Sequence, residues 1–188
     1  MTSYLRLGLV HIVTGPDHLL FVLGLVLLAS TWRRIAVTVT AFTLGHSVTL
    51  ALAATGLVAV PARPIELAIA LSVLWVAIEV ARGSIATLPA RRPWLVAGGF
   101  GLLHGLGFAS ALREAGLPRG PLVTALLAFN VGIELGQLAF VLLLLGLLLL
   151  VRPFVTSFPR WATRVPVYVM GTLAAYWCWV RAATWLGV

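Results

Sequence analysis

Six apolar runs, each about as long as a lipid bilayer is thick, constrain this chain more than any other feature. They cover Tyr4–Ala29, Ile35–Val60, Ile65–Ile85, Trp94–Leu112, Pro121–Val151 and Val165–Leu186. A helix needs about 20 mostly apolar residues to cross the hydrocarbon core. The gaps between the runs are short and carry proline and arginine, as in Trp32-Arg33-Arg34, Pro61-Ala62-Arg63-Pro64 and Pro89-Ala90-Arg91-Arg92-Pro93. Connections this short make consecutive helices antiparallel neighbours. Only 10% of the 188 residues are charged and 61% are hydrophobic, against about 25% charged in a soluble domain. A chain of this size exposes too much surface to hide that excess in a core. The expected fold is all-α: a polytopic membrane protein with six transmembrane helices, forming one domain over residues 1–188 and kinked in its first helix at Gly15-Pro16.

The net charge of +8 does not point to nucleic acid. All 13 basic residues are arginines, most of them between the apolar runs, where they act as topology signals and headgroup anchors. No basic face or aromatic platform accompanies them. Gaps one, three and five, with their helix ends, hold Arg33, Arg34, Arg82, Arg91, Arg92, Arg152, Arg160 and Arg164. The opposite side holds Arg6, Arg63, Arg113, Arg119 and Arg181. The excess of arginine on the first side places both termini outside the cytoplasm. Cys178 is the only cysteine, which excludes an intrachain disulfide and a thiolate cluster. The first run is interrupted by His11, Asp17 and His18 and has no small-residue cleavage site, so it reads as a span rather than a signal peptide.

The ionisable residues inside the runs carry the functional signal. All four histidines (His11, His18, His46 and His104) lie within spans, with Asp17, Glu79 and Glu134. Such residues are costly in lipid and usually face a cavity or a partner. At 1.5 Å per residue, His18, His46, His104 and Glu134 lie roughly 15–21 Å into their helices, near the middle of a core about 30 Å thick. Four helices thus bring a polar group to one depth. Asn130, Glu134 and Gln137 share one helix face by their spacing. Thr43, His46 and Ser47 form a polar patch on the second helix, and Ser72, Trp75 and Glu79 line up on the third. Arg82 lies one turn after Glu79 and offers it a structural partner. Glycines concentrate at Gly98, Gly99, Gly101, Gly105, Gly107, Gly132 and Gly136, where they allow close helix packing.

In the first run, Thr14-Gly15-Pro16-Asp17-His18 predicts a break. Proline removes a backbone donor, and with Thr14 or Gly15 as cap it can begin a new helix, placing Asp17 and His18 at its positive end. Broken helices at mid-membrane are a recurring way to build ion sites.

These blocks resemble the HupE/UreJ family of membrane proteins, implicated in nickel supply to hydrogenase and urease. The resemblance rests on His11-x5-Asp17-His18, on Ala41-Phe42-Thr43-Leu44-Gly45-His46-Ser47, on His104-Gly105-Leu106-Gly107-Phe108 and on Phe129-Asn130-Val131-Gly132-Ile133-Glu134. The first block is also similar to the His-x4-Asp-His element of nickel/cobalt permeases, with one extra residue. The stretch around His104 has one histidine and no acid where the nickel-associated branch carries two histidines and an acid. The chain is therefore more similar to the family's second, less characterised branch. The resemblance implies metal transport in a bacterial inner membrane, carried by His11, Asp17, His18, His46 and Glu134.

Three functions suit the residues. Imidazole with a few carboxylates fits nickel, zinc, cobalt or copper(II) rather than calcium or magnesium. In a transporter, His18, His46 and His104 are ligands, with His11, Asp17 and Glu134 as ligands or orienting acceptors. Asn130, Gln137, Ser47, Thr43 and Glu79 complete the surroundings or the pathway. The second reading is an intramembrane zinc hydrolase using the same His/Asp/Glu cluster. The third is a b-type haem with two axial histidines. The expected partners are the metal ion and membrane lipid, with a second copy of the chain or a metal-delivery protein as protein partners. No nucleotide-binding motif is present, so energy for transport comes from a gradient or a partner.

Overall fold

The computed structural model of the chain describes residues 2–29, 31–83, 87–114, 122–151 and 160–188, with side chains set aside at 109–114 and 160–163. Arg119 and Arg152 of the arginine count, and the run ends Ile85 and Pro121, lie outside the described residues. The described residues form eight helices: α1 Thr2–Thr14, α2 Pro16–Leu28, α3 Trp32–Ala54, α4 Ala62–Arg82, α5 Leu88–Arg91, α6 Pro93–Glu114, α7 Leu122–Val151 and α8 Arg160–Leu186. Among the described residues there is no strand. Of these helices, α3, α4 and α7 are each long and apolar enough to cross a membrane. The pair α1 and α2 passes the same test as one broken span, giving three such spans, or four with the broken one.

The helix boundaries follow local chemistry. Gly15 caps α2 in an extended conformation and Pro16 takes its first position, where its missing N–H costs nothing. The result is a 74° bend between α1 and α2. Thr31 caps α3 by accepting a hydrogen bond from Arg34 N at 3.3 Å. At the end of α4, Gly83 adopts a left-handed φ of 61°, a conformation that favours glycine at this position. The buried interior has three parts, one of them Val22, Ile35, Val39 and Val141. Phe21, Phe42, Val73, Val76 and Met170 pack on one side of the bend; Ile12, Leu50, Phe129 and Ile133 pack on the other. The histidines lie between them. Leu142, Leu150, Tyr168 and Trp179 are exposed, as a lipid-facing surface requires.

Two seams of close backbone contact hold the bundle together. Along α1 and α7, a Cβ on Gly8 would strike the Phe129 carbonyl oxygen, and one on Gly132 would strike the Leu5 oxygen. Along α3 and α6, Gly45 sits against the Gly98 oxygen, Gly101 against the Phe42 oxygen and Gly105 against the His46 oxygen. Further along, Gly136 lies against Ile12 and Gly105 against His46 and Thr49, so over its whole length each seam advances in the same direction on both helices and each pair runs parallel. By contrast α4 is antiparallel to α6, since Ser72 meets His104 and Trp75 meets Phe100. It is also antiparallel to α8, since Ala77 meets Gly171 and Glu66 meets Arg181.

The seams predict a sharp contrast between glycines. Gly45→Val forces two backbones apart, and overpacking of this kind costs about 1–3 kcal/mol where only side chains must shift. With backbone on both sides the loss should lie at the upper end, lowering the melting temperature in detergent by roughly 5–10 °C at about 2–4 °C per kcal/mol. Gly99 and Gly146 have nothing within 4 Å of an added Cβ. Ala at either should leave the melting temperature unchanged or raise it. Equal melting points for the Gly45 and Gly99 variants would refute the seam.

Candidate metal centre

The bend between α1 and α2 gathers the histidines. His11 lies in the last turn of α1 and His18 in the first turn of α2, so the two rings face each other across the break, their centroids 4.7 Å apart. His46 enters from the middle of α3, with its ring 6.0 Å from His11 and 6.3 Å from His18. One ligand nitrogen from each of these three histidines lies within 4.8 Å of the others. His104 comes from α6, its ring 5.0 Å from that of His18. The surroundings are aromatic: Phe108 lies 4.3 Å from His11, and Phe42 lies 5.1 Å from His104. His46 and His104 are essentially inaccessible, at 0% and 1% exposure.

The hydrogen bonding is incomplete in an informative way. His11 Nε2, His18 Nε2, both ring nitrogens of His46, and His104 Nδ1 are buried and make no hydrogen bond among the described residues, and His18 Nδ1 has Asp17 Oδ1 beside it at 3.3 Å. Leaving one such group unpaired costs about 1–3 kcal/mol, and native proteins rarely leave several together. A divalent cation takes up one lone pair from each neutral imidazole that it binds. Zinc-type ligation at about 2.0–2.1 Å puts tetrahedral donors roughly 3.3 Å apart. The three nitrogens, at up to 4.8 Å, reach that spacing by closing inward about 1–1.5 Å. The donor set fits a transition-metal ion.

Asparagine, serine and carboxylate groups around the cluster are placed as follows. Asp17 Oδ1 accepts from His18 N at 3.1 Å and lies 3.3 Å from His18 Nδ1. Its other oxygen accepts from Arg181 Nη2 at 3.1 Å, and Arg181 also donates to the Glu66 carbonyl at 2.9 Å. Asn130 donates to Leu126 O at 2.8 Å, and its Oδ1 is buried without a hydrogen-bond partner among the described residues. The face read from Asn130, Glu134 and Gln137 turns to α3: Glu134 accepts from Thr40 Oγ1 at 2.6 Å and Gln137 from Thr43 Oγ1 at 2.9 Å. Glu134 is not among the grouped donors. Ser47 donates to Thr43 O at 2.7 Å. Glu79 is buried and pairs with Arg82 Nη1 at 2.8 Å.

Two contacts escaped sequence reasoning. Arg181 partners Asp17 across 164 positions; a lone arginine late in an apolar run was the signal for it. Ser72 holds His104 Nε2 at 3.0 Å, although its spacing had placed it in line with Glu79.

Apolar helices long enough to span a bilayer, packed around a buried histidine cluster, mark an integral membrane protein. The chain belongs to the HupE/UreJ family: the family model described as HupE / UreJ protein matches residues 1–181. No curated protein and no solved structure matches it.

Proposed function

We propose that this protein carries a divalent transition-metal cation, nickel or a similar ion, across the membrane. The observation behind this reading is the group of His11, His18 and His46, drawn from three helices, with buried unpartnered nitrogens within 4.8 Å of one another. Imidazole donors without thiolate suit nickel, cobalt, zinc or copper(II), and a site without a thiolate cage can release its ion. Family membership supports the same reading. A zinc hydrolase would need a carboxylate beside the metal to activate water. Asp17 is engaged by Arg181 and Glu134 by Thr40, which favours transport over hydrolysis.

The site lies in a bundle of six spans, namely the broken α1/α2, then α3, α4, α6, α7 and α8. The helix directions support this count, because odd spans run parallel to odd and even to even in both glycine seams. The arginine count favours both termini outside the cytoplasm, and family membership supports a bacterial inner membrane. An accessory metal-delivery protein can supply the ion, and a second copy of the chain is the other protein partner expected.

Metal binding to the folded state alone raises stability by about 2.7 kcal/mol at a hundredfold excess over Kd. The purified protein should therefore melt roughly 5–10 °C higher with saturating Ni²⁺, Zn²⁺, Co²⁺ or Cu²⁺. Absence of any shift with all four ions, in well-folded protein, removes this reading.

A further inference from the structure

The two seams repeat one another. A shift of 93 residues takes Leu5, Gly8, Leu9 and His11 of α1 to Gly98, Gly101, Leu102 and His104 of α6; a shift of 87 takes Phe42 and Gly45 of α3 to Phe129 and Gly132 of α7. The same atoms then meet. Gly8 against the Phe129 oxygen becomes Gly101 against the Phe42 oxygen. Gly132 against the Leu5 oxygen and Leu9 nitrogen becomes Gly45 against the Gly98 oxygen and Leu102 nitrogen. Further along, Ile12 over Gly136 becomes Gly105 under Thr49, so the small residue has changed sides and the close approach survives. The rings follow the same rule: His11 lies 5.6 Å from Phe129, and its counterpart His104 lies 5.1 Å from Phe42.

We propose that the chain is an inverted repeat, and that His18, between the equivalent histidines of its two halves, offers a divalent cation two positions: one with His11 and His46, the other with His104. This rests on the cation-transport reading above. Each half contributes three spans in that reading, and an odd number reverses the second half relative to the first, as in many transporters. The His18 ring is 4.7 Å from His11 and 5.0 Å from His104, close to equidistant. The shift of 93 takes His18 to Ala111, so one residue serves both halves.

The two positions differ in strength. The first has three imidazoles. In the second, the counterpart of His46 is Ile133, which leaves His18 and His104. There the Ser72 hydroxyl holds His104 Nε2 and fixes the ring, so that the buried, unpartnered Nδ1 is the free donor. An ion held by three ligands and then by two is bound firmly and passed on easily; conduction needs binding that is multi-site and not too tight.

The test compares His11→Ala, His104→Ala, His104→Asn and His18→Ala in full-length protein, by Ni²⁺ titration in detergent and Ni²⁺ uptake into vesicles. Asparagine at position 104 keeps a hydrogen-bonding partner for Ser72 and removes the imidazole, which guards against a folding defect. Both His104 variants should keep the wild-type Kd within about threefold and lose at least about tenfold in uptake. His11→Ala should weaken binding by at least about 10–100-fold, the range for losing a group that only orients a ligand, and His18→Ala should weaken it most. Wild-type uptake in His104→Asn, or a loss of affinity there as large as in His11→Ala, overturns the two-position scheme while leaving cation transport in place. Wild-type protein that binds no ion overturns both.

Discussion

Replacing His46 with alanine should remove the metal-induced rise in melting temperature and leave the metal-free protein close to wild-type stability. The two effects separate a ligand from a structural histidine. A structural histidine in a core donates and accepts hydrogen bonds, and its loss leaves partners stranded as well as a cavity. His46 is fully buried, yet neither of its ring nitrogens is bonded. Truncation creates a cavity costing about 2–4 kcal/mol, offset by relief of two unpaired groups at about 1–3 kcal/mol each. The metal-free melting temperature should therefore move by only a few degrees, roughly 2–4 °C per kcal/mol of the remainder. With saturating Ni²⁺ the wild type rises and the variant does not. Acid should imitate the mutation in the wild type, because a proton and a metal compete for the same imidazole lone pair. A His46→Ala protein that melts far below wild type and still responds to Ni²⁺ would make this residue structural.

Much of the architecture was legible because lipid imposes few solutions. A run of apolar residues the length of a bilayer has to be helical, and Gly15-Pro16 has to interrupt it. The break stands where the sequence puts it, with Gly15 as cap and Pro16 at the first helical position. The positions of the polar residues along their helices were legible as well, since they follow from counting. The angular direction of each side chain was not, because it depends on which helices become neighbours. Glu134 was counted to the same depth as the histidines, yet its carboxylate meets Thr40. Asp17 was read beside the metal ligands, and the structure gives one of its oxygens to an arginine far along the chain. The repeat was hidden for a related reason. It rests on glycines meeting backbone carbonyls, and any residue can supply the carbonyl, so only one side of each contact leaves a mark in the sequence.

The pair Asp17–Arg181 carries the second large effect. Arg181 joins α8 to both the start of α2 and the start of α4, through Asp17 and the Glu66 carbonyl. The side chains keep 24% and 15% of their surface exposed, so the pair is mostly withdrawn from water. Removing one member of a buried pair costs about 3–5 kcal/mol, since the other charge is left uncompensated. With this residual exposure Arg181→Gln should fall at the lower end, lowering the melting temperature by roughly 6–12 °C at about 2–4 °C per kcal/mol. Adding Asp17→Asn should restore most of the loss, because exchanging a whole buried pair for neutral groups is often close to neutral. Metal binding should not return with it. Asp17 Oδ1 lies beside His18 Nδ1 and steadies that ring, and loss of such an orienting acceptor costs about 10–100-fold in affinity. The double variant should thus melt like the wild type and bind Ni²⁺ poorly. A pair that served only to tie α8 down would recover both properties together, and an Arg181→Gln protein as stable as wild type would show that Asp17 needs no countercharge.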